Sequence, residues 1–461
     1  MARKSLQKTL KQLRTGNAAE RAKAAFDLQY FERERQLRMR ALIAALDDPC
    51  ERVRAQAVWA LAQTWPPVPD ATPHFIRLLR DPDLRTRQGA INGLGNMEPV
   101  PAEAVGPLIA SFDHPDAQTA HDAIRTVGAF GEAAKAAVPR LKRALRDRRY
   151  SSAAAHALGG IGPSAAEAVP ALCGALRSRD AETRNAAVEA LGEIGPAAVE
   201  AIPALLASLD DERFLARVET QWQAEHEGPA SEIGVYPTTA GNLRAHAALA
   251  LWRIAEHERA VPILMAGLGD ANRGGRRAAA EALRLIGPPA VRAAAILAQA
   301  ACSDPDPATR QDALQALDAF GPDAASLVGA MIYALGDDDW SVRGAAIDAL
   351  TNLGPAAQSA IAQLWQIVRN RDDGLRVSAA GALWRIAGDL ATIAVFVEEM
   401  ADEHPDAAEC RETCARWLAE IGPPASSALP ALHARLADDD ERVVSVAAEA
   451  IQRITGRSPW N

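Results

Sequence analysis

The chain has 461 residues, 49% of them hydrophobic but only 5% aromatic, and carries a formal net charge of −9. The acidic balance excludes a general nucleic-acid binder, which needs a basic track to neutralise phosphates. Cys50, Cys173, Cys302, Cys410 and Cys414 fit no disulfide framework and favour a reducing compartment. The N-terminal MARKSLQKTLKQL lacks a signal-peptide core, and no apolar run approaches about 18 residues, so neither secretion nor a membrane span is expected. A cytoplasmic, bacterial protein is the expectation, with the loss of lysine after Lys142 read as genome composition.

The charge is uneven. Residues 1–40 hold eleven Lys or Arg against four Asp or Glu. Residues 1–35 read as a degenerate basic cap of a repeat array. Such an end could meet nucleic acid or another anionic surface; the plainer reading is a solvated outer face.

From there the chain repeats itself. Ser5 to Tyr30 is a first, imperfect copy, and LRMRALIAALDDPCERVRAQAVWALAQTW a cleaner second. Third, fourth and fifth copies follow, and Pro163 to Gly195 is the clearest unit. In it Val169, Leu172, Cys173 and Leu176 fall on one helical face, predicting a helix A from about Pro170. Ala187, Ala190, Leu191 and Ile194 predict a helix B, closed by Gly195 in a left-handed position and stopped by Pro196. Corresponding glycines recur at steps of 33 or 34 along most of the chain, giving roughly thirteen helix pairs, with 423–456 the C-terminal repeat. One pair cannot bury its alanine-rich faces alone, so neighbours must stack.

A second marker accompanies the period. An Asp precedes an Arg by six positions in Asp48/Arg54, Asp81/Arg87, Asp270/Arg276, Asp304/Arg310 and Asp337/Arg343. The carboxylate can cap helix B or pair with an Arg of its own or the adjacent copy, making a polar ladder along the turns. Ala120, Ser151 and Val444 stand where that Arg is missing.

These copies resemble HEAT repeats, in the short form of phycobilisome-lyase-type HEAT-like proteins. The matching stretches are ALDDPCERVRAQAVWALA, LRDPDLRTRQGAINGLG, LGDDDWSVRGAAIDALTNLGP and LADDDERVVSVAAEAI. The resemblance implies an all-α, right-handed α–α superhelix over 1–461. It also implies a scaffold that binds proteins, with phycobilin handling as the enzymatic alternative.

In the seventh copy the ladder partners Asp211 and Arg244 are 33 apart instead of six. A segment, 212–243, is therefore inserted in the turn between helices A and B. Insertions of this length are usually functional or disordered. Phe214, Trp222 and Tyr236 are the aromatic residues with which it could anchor a partner, or pin itself to its own array.

No catalytic or metal constellation stands out. His226-Glu227, His257-Glu258 and Glu403-His404 lie away from any ladder Arg, unlike the His-Glu pairs of the iron-binding HEAT-repeat hydroxylases. Cys410 and Cys414 lack further ligands. No cofactor is expected. The position five residues after the ladder Arg is polar in most copies and places Trp59, Glu189, Glu281 and Asp348 on the exposed face of the B helices. The expected function is a non-catalytic scaffold holding a basic or helical protein partner on that face and on the insert.

Overall fold

The computed structural model describes residues 2–31, 34–211, 215, 240–371, 374–402, 404 and 407–459. Phe214, Trp222 and Tyr236 lie outside them, as does nearly all of the predicted insert. Among the described residues there is no strand. Two compact units are present, Met1–Ala260 and Val261–Asn461.

Among the described residues the α-helices form thirteen pairs, odd-numbered ones being A helices and even-numbered ones B helices. The first unit contains α1 (Ala2–Thr15), α2 (Ala18–Asp27), α3 (Arg35–Ala45), α4 (Glu51–Ala62), α5 (Thr72–Leu78), α6 (Leu84–Gly95), α7 (Val105–Ala110) and α8 (Ala117–Val127). It continues with α9 (Val138–Ala144), α10 (Ser151–Ile161), α11 (Val169–Ala175), α12 (Ala181–Ile194), α13 (Ile202–Asp210) and α14 (Ala240–Ala255). Residues 240–243, read from the sequence as the end of the insert, are the first turn of α14, with Asn242 and Leu243 buried.

The second unit begins with α15 (Ala260–Gly267), which starts at the last residue of the first. It then contains α16 (Arg273–Ile286), α17 (Ala294–Ser303), α18 (Pro307–Ala319), α19 (Val328–Ala334) and α20 (Trp340–Leu353). The remaining helices are α21 (Ile361–Arg369), α22 (Arg376–Ala387), α23 (Thr392–Glu399), α24 (Ala408–Ile421), α25 (Leu429–Ala434) and α26 (Glu441–Thr455). Within each unit a B helix packs on the B helix of the next copy, as α10 does on α12 and α18 on α20.

The clearest unit behaves largely as its spacing requires. Val169, Leu172 and Leu176 are buried, Cys173 is half-buried, and Ala187, Ala190, Leu191 and Ile194 are buried. The stretch between copies is longer than a simple turn: Gly195–Ala201 and Gly354–Ala360 are each short 3-10 turns joined by a kink, at Ala198 and at Ala357. Ala198 and Ala201, and likewise Ala357 and Ala360, are fully buried, the small side chains letting the kinked link lie against its neighbours. Gly195 has the expected positive φ of 66°, but its ψ of −139° is not left-handed helical. Proline after it disfavours helical ψ, whereas Gly388, followed by Asp389, does sit at φ 62°, ψ 31°.

Residues 181–210 together match a membrane span in length and hydropathy. Here they are α12, a 3-10 segment and α13, and Ala187, Leu191, Ile194 and Leu205 are buried within the repeat stack.

The polar ladder joins neighbouring copies. Arg21 reaches Asp48, Arg54 reaches Asp81, Arg276 reaches Asp304, Arg310 reaches Asp337 and Arg411 reaches Asp438, all with Nε–Oδ2 distances of 2.7–2.8 Å. Each of these guanidiniums also closes its own turn. Arg54 Nη1, for example, donates to the Asp48 carbonyl at 2.9 Å, and Arg310 Nη1 to the Asp304 carbonyl at 2.9 Å. Capping of helix B falls to a second aspartate, as where Asp83 accepts from Thr86 N at 2.8 Å and Asp306 from Thr309 N at 3.0 Å. Two aspartates therefore divide tasks that the spacing alone had given to one. Arg376 departs from the series and takes Glu398 and Glu399 of α23.

Candidate functional site

Each unit presents its own B-helix face. In the first, Trp59 on α4 is 37% exposed and leans over Gly89 of α6. Glu189 on α12 stands between two histidines, 3.7 Å from His156 Nδ1 on α10 and 3.4 Å from His246 Nδ1 on α14. Burial pushes His246 below the ordinary histidine range; Glu189 draws it back up and Arg253 lowers it further. Beside them, burial raises the Glu193 carboxyl, and Glu189 raises it further, while Arg253 and His156 oppose the shift. This is a row of titratable groups across three consecutive B helices.

The face of the second unit carries mixed charge. Glu281 on α16 closes onto Arg284 at 2.6 Å in the same helix, so its charge is already matched. Arg277 reaches Asp312 on α18 at 2.6 Å. Asp348 on α20 is different. The residue reaches the surface with its carboxyl partly shielded from water by its neighbours, no cation pairs with it among the described residues, and that partial desolvation and neighbouring Asp318 raise its carboxyl. Asp318 accepts from Asn352 Nδ2 at 3.0 Å. The uncompensated negative charge of this face therefore lies at Asp318 and Asp348.

Of the residues singled out by register, Trp59 and Glu189 lie in the first unit and Glu281 and Asp348 in the second. His156, His246 and Asp318 were not singled out. His156 shares the register position of Glu189, but it lies five residues after Ser151, so counting from arginines passes over it. His246 and Asp318 occupy other positions of the B helix, and only the packing shows which side chains they meet.

The basic N-terminal residues are partly consumed by structure. Arg21 is a ladder rung, Lys23 pairs with Asp27, and buried Arg38 donates to the Leu28 carbonyl at 2.9 Å. All five cysteines are free, Cys414 being buried and the rest half-buried. Among the described residues no group of His, Cys, Asp or Glu is placed to hold a metal ion.

Stacked helix pairs with a ladder along their turns define an α-helical repeat protein. Six stretches, residues 6–94, 39–114, 72–159 and 147–221 overlapping in one run and 238–318 and 294–384 in another, match the model of HEAT repeats. The chain belongs to the HEAT-repeat family; its phycobilisome-lyase-type subdivision is not part of that match. No curated protein matches the chain in sequence.

Among solved structures, yeast importin-β (Kap95p) is similar with a TM-score of 0.58 and 12% identity, over 97% of this chain and 66% of that one. A Kap95:Nup1 complex is similar with a TM-score of 0.57 and 13% identity, over 95% and 65%. The karyopherin Kap121p bound to the SUMO protease Ulp1p gives 0.52 and 15%, over 98% and 52%. The chain thus spans between half and two thirds of the length of these karyopherins. At such identities the likeness is one of fold.

Proposed function

We propose that this protein is a non-catalytic scaffold that holds another protein on its exposed B-helix positions and on the segment 212–243. The observation that carries the reading is Asp348. It stands at the surface near Asp318 with no cation partner among the described residues, so this face keeps negative charge that a partner can meet. Glu189, flanked by two histidines, and half-exposed Trp59 supply polar and aromatic contact on the first unit. Such a surface suits a basic or helical segment, because complementary charge speeds encounter and excludes wrong partners. The karyopherin Kap121p, solved with the SUMO protease Ulp1p, is a fold relative that holds a protein.

The test is affinity capture from the native host with the wild-type chain and with the E189K/E281K/D348K variant, after circular dichroism has confirmed equal helicity. The variant should lose the principal captured protein. Equal recovery of that protein would remove the acidic-face reading. A second variant lacking residues 216–239 should show the same loss if the segment takes part.

A further inference from the structure

The ladder breaks in two consecutive copies of the first unit. Ala120 on α8 and Ser151 on α10 stand where every other B helix except the last, with Val444, carries the rung arginine. Ser151 Oγ lies 2.7 Å from Thr183 Oγ1, much as Arg87 Nε donates to Thr119 Oγ1 at 2.8 Å, so the serine fills only the root of a rung. Asp147 is the carboxylate that an arginine at 120 would hold. It is taken instead by Arg149 of its own turn, with Nη2 to Oδ2 at 2.7 Å.

Two cavities lie beside these breaks, the first including Asp147 and the second Ser151. One of about 710 Å³ opens between the fourth and fifth turns, lined by Phe112, Arg140, Arg143, Arg146, Arg148 and Arg149 among others. The other, about 520 Å³, opens between the fifth and sixth turns, lined by Lys142, Arg146, Arg148, Ser151 and Arg179 among others. Arg146 and Arg148 face both. Arg140 is paired with Asp113, Lys142 with Glu167 and Arg149 with Asp147. The side chains of Arg143, Arg146, Arg148 and Arg179 are exposed and make no hydrogen bond or ion pair among the described residues. Four guanidiniums are thus left over beside the two cavities, closer together than the single exposed arginines Arg52 and Arg80 of earlier turns.

We propose that the two gaps form a docking site for an acidic protein segment, whose carboxylates are taken by Arg143, Arg146, Arg148 and Arg179. Guanidiniums suit carboxylates because they offer paired donors in a fixed fork. The basic patch is only two rungs long. Asp81 and Asp83 lie on the turn before it, and the carboxylates at its cavities are already engaged, Asp113 by Arg140, Asp147 by Arg149 and Asp180 as the cap that accepts from Thr183 N. A nucleic acid, with one charge per about 1.7 Å of duplex, needs a longer unbroken track. An extended peptide, advancing about 3.3–3.6 Å per residue, can set a few carboxylates into the two cavities and leave. The site is independent of the B-helix face, and its charge is opposite.

Fluorescence anisotropy of a labelled Glu-rich peptide with the full chain tests this, alongside its Gln-for-Glu counterpart and a single-stranded oligonucleotide. The Glu-rich peptide should bind and the Gln counterpart should not. R143E/R146E/R148E should weaken binding by about tenfold or more, and the charge-neutral R146Q/R148Q should weaken it too. The R14E/R40E/R52E variant, with the same change in net charge at exposed arginines elsewhere, should bind as wild type. S151R is the sharpest arm. It adds a positive charge but rebuilds a rung inside the second cavity, so binding should fall. Stronger binding by S151R, equal loss in the R14E/R40E/R52E control, or tighter binding of the oligonucleotide than of the peptide would overturn the proposal.

Discussion

Arg310 and Asp337 belong to successive repeats, and two parallel hydrogen bonds of 2.7 Å join them, from Nε to Oδ2 and from Nη2 to Oδ1. The third nitrogen, Nη1, donates to the Asp304 carbonyl in Arg310's own turn at 2.9 Å. One side chain thus stitches one copy to the next and closes its own A–B turn. Arg310→Ala removes all three bonds and leaves a largely buried carboxylate unmatched. The expected loss is about 2–3 kcal/mol, read as a lower urea midpoint. Arg310→Lys should recover little of it, since an ammonium cannot supply the fork.

The same pairs set the response to acid. Arg21 and Arg310 hold Asp48 and Asp337 below the ordinary carboxylate range through their hydrogen bonds. A carboxyl whose folded pKa is depressed contributes stability that is fully present above its unfolded value, near about 3.9, and lost as pH falls through the folded value. Thermal midpoints should therefore fall below about pH 4, and Asp337→Asn should show a shallower fall than wild type. An equally steep fall in that variant would count against the ladder as the source.

Asp348 carries the opposite sign. Burial and Asp318 raise its carboxyl, so the folded chain disfavours its charged form. Asp348→Asn should stabilise the protein at pH 7, and the gain should vanish below about pH 4, where the aspartate is protonated folded or unfolded. Denaturation at both pH values checks this. A destabilised Asp348→Asn at pH 7 would mean that the carboxylate serves the fold.

Gly381 on α22 faces the Trp417 ring on α24 so closely that a Cβ would lie 2.3 Å from ring carbons Cε2 and Cζ2. That ring is stacked on Phe396, with centroids 6.3 Å apart, and carries Arg385 5.7 Å from its centroid. Replacing a helical glycine with alanine ordinarily gains about 1 kcal/mol. Here Gly381→Ala should instead cost about 1–3 kcal/mol through overpacking, with a changed tryptophan emission spectrum reporting the displaced ring.

The sequence by itself determined what is local and repeated. Leu172 and Leu191 fall on helical faces at helical spacing, Pro196 ends one copy, and the recurrence of Gly195-like positions sets the period that gives roughly thirteen pairs, because helix formation and chain breaking depend on residues within a turn or two. The kinked link around Ala198 and Ala201 was less visible, since alanine suits helix and turn alike and only burial between copies distinguishes these positions.

The tertiary structure decided which charges meet. The spacing of Asp304 and Arg310 is equally compatible with a pair inside one copy; stacking places Asp337 of the next copy within reach of the fork and leaves Asp304 to Arg276. Ala120 and Ser151 read in sequence as irregular rungs, and only the packing of adjacent turns turns them into cavities bordered by unspent arginines. His156, Glu189 and His246 likewise come from three different copies. Coulombic and hydrogen-bonding partners are set by distance in space, and a repeat of 33 or 34 residues brings together side chains that no local pattern in the chain connects.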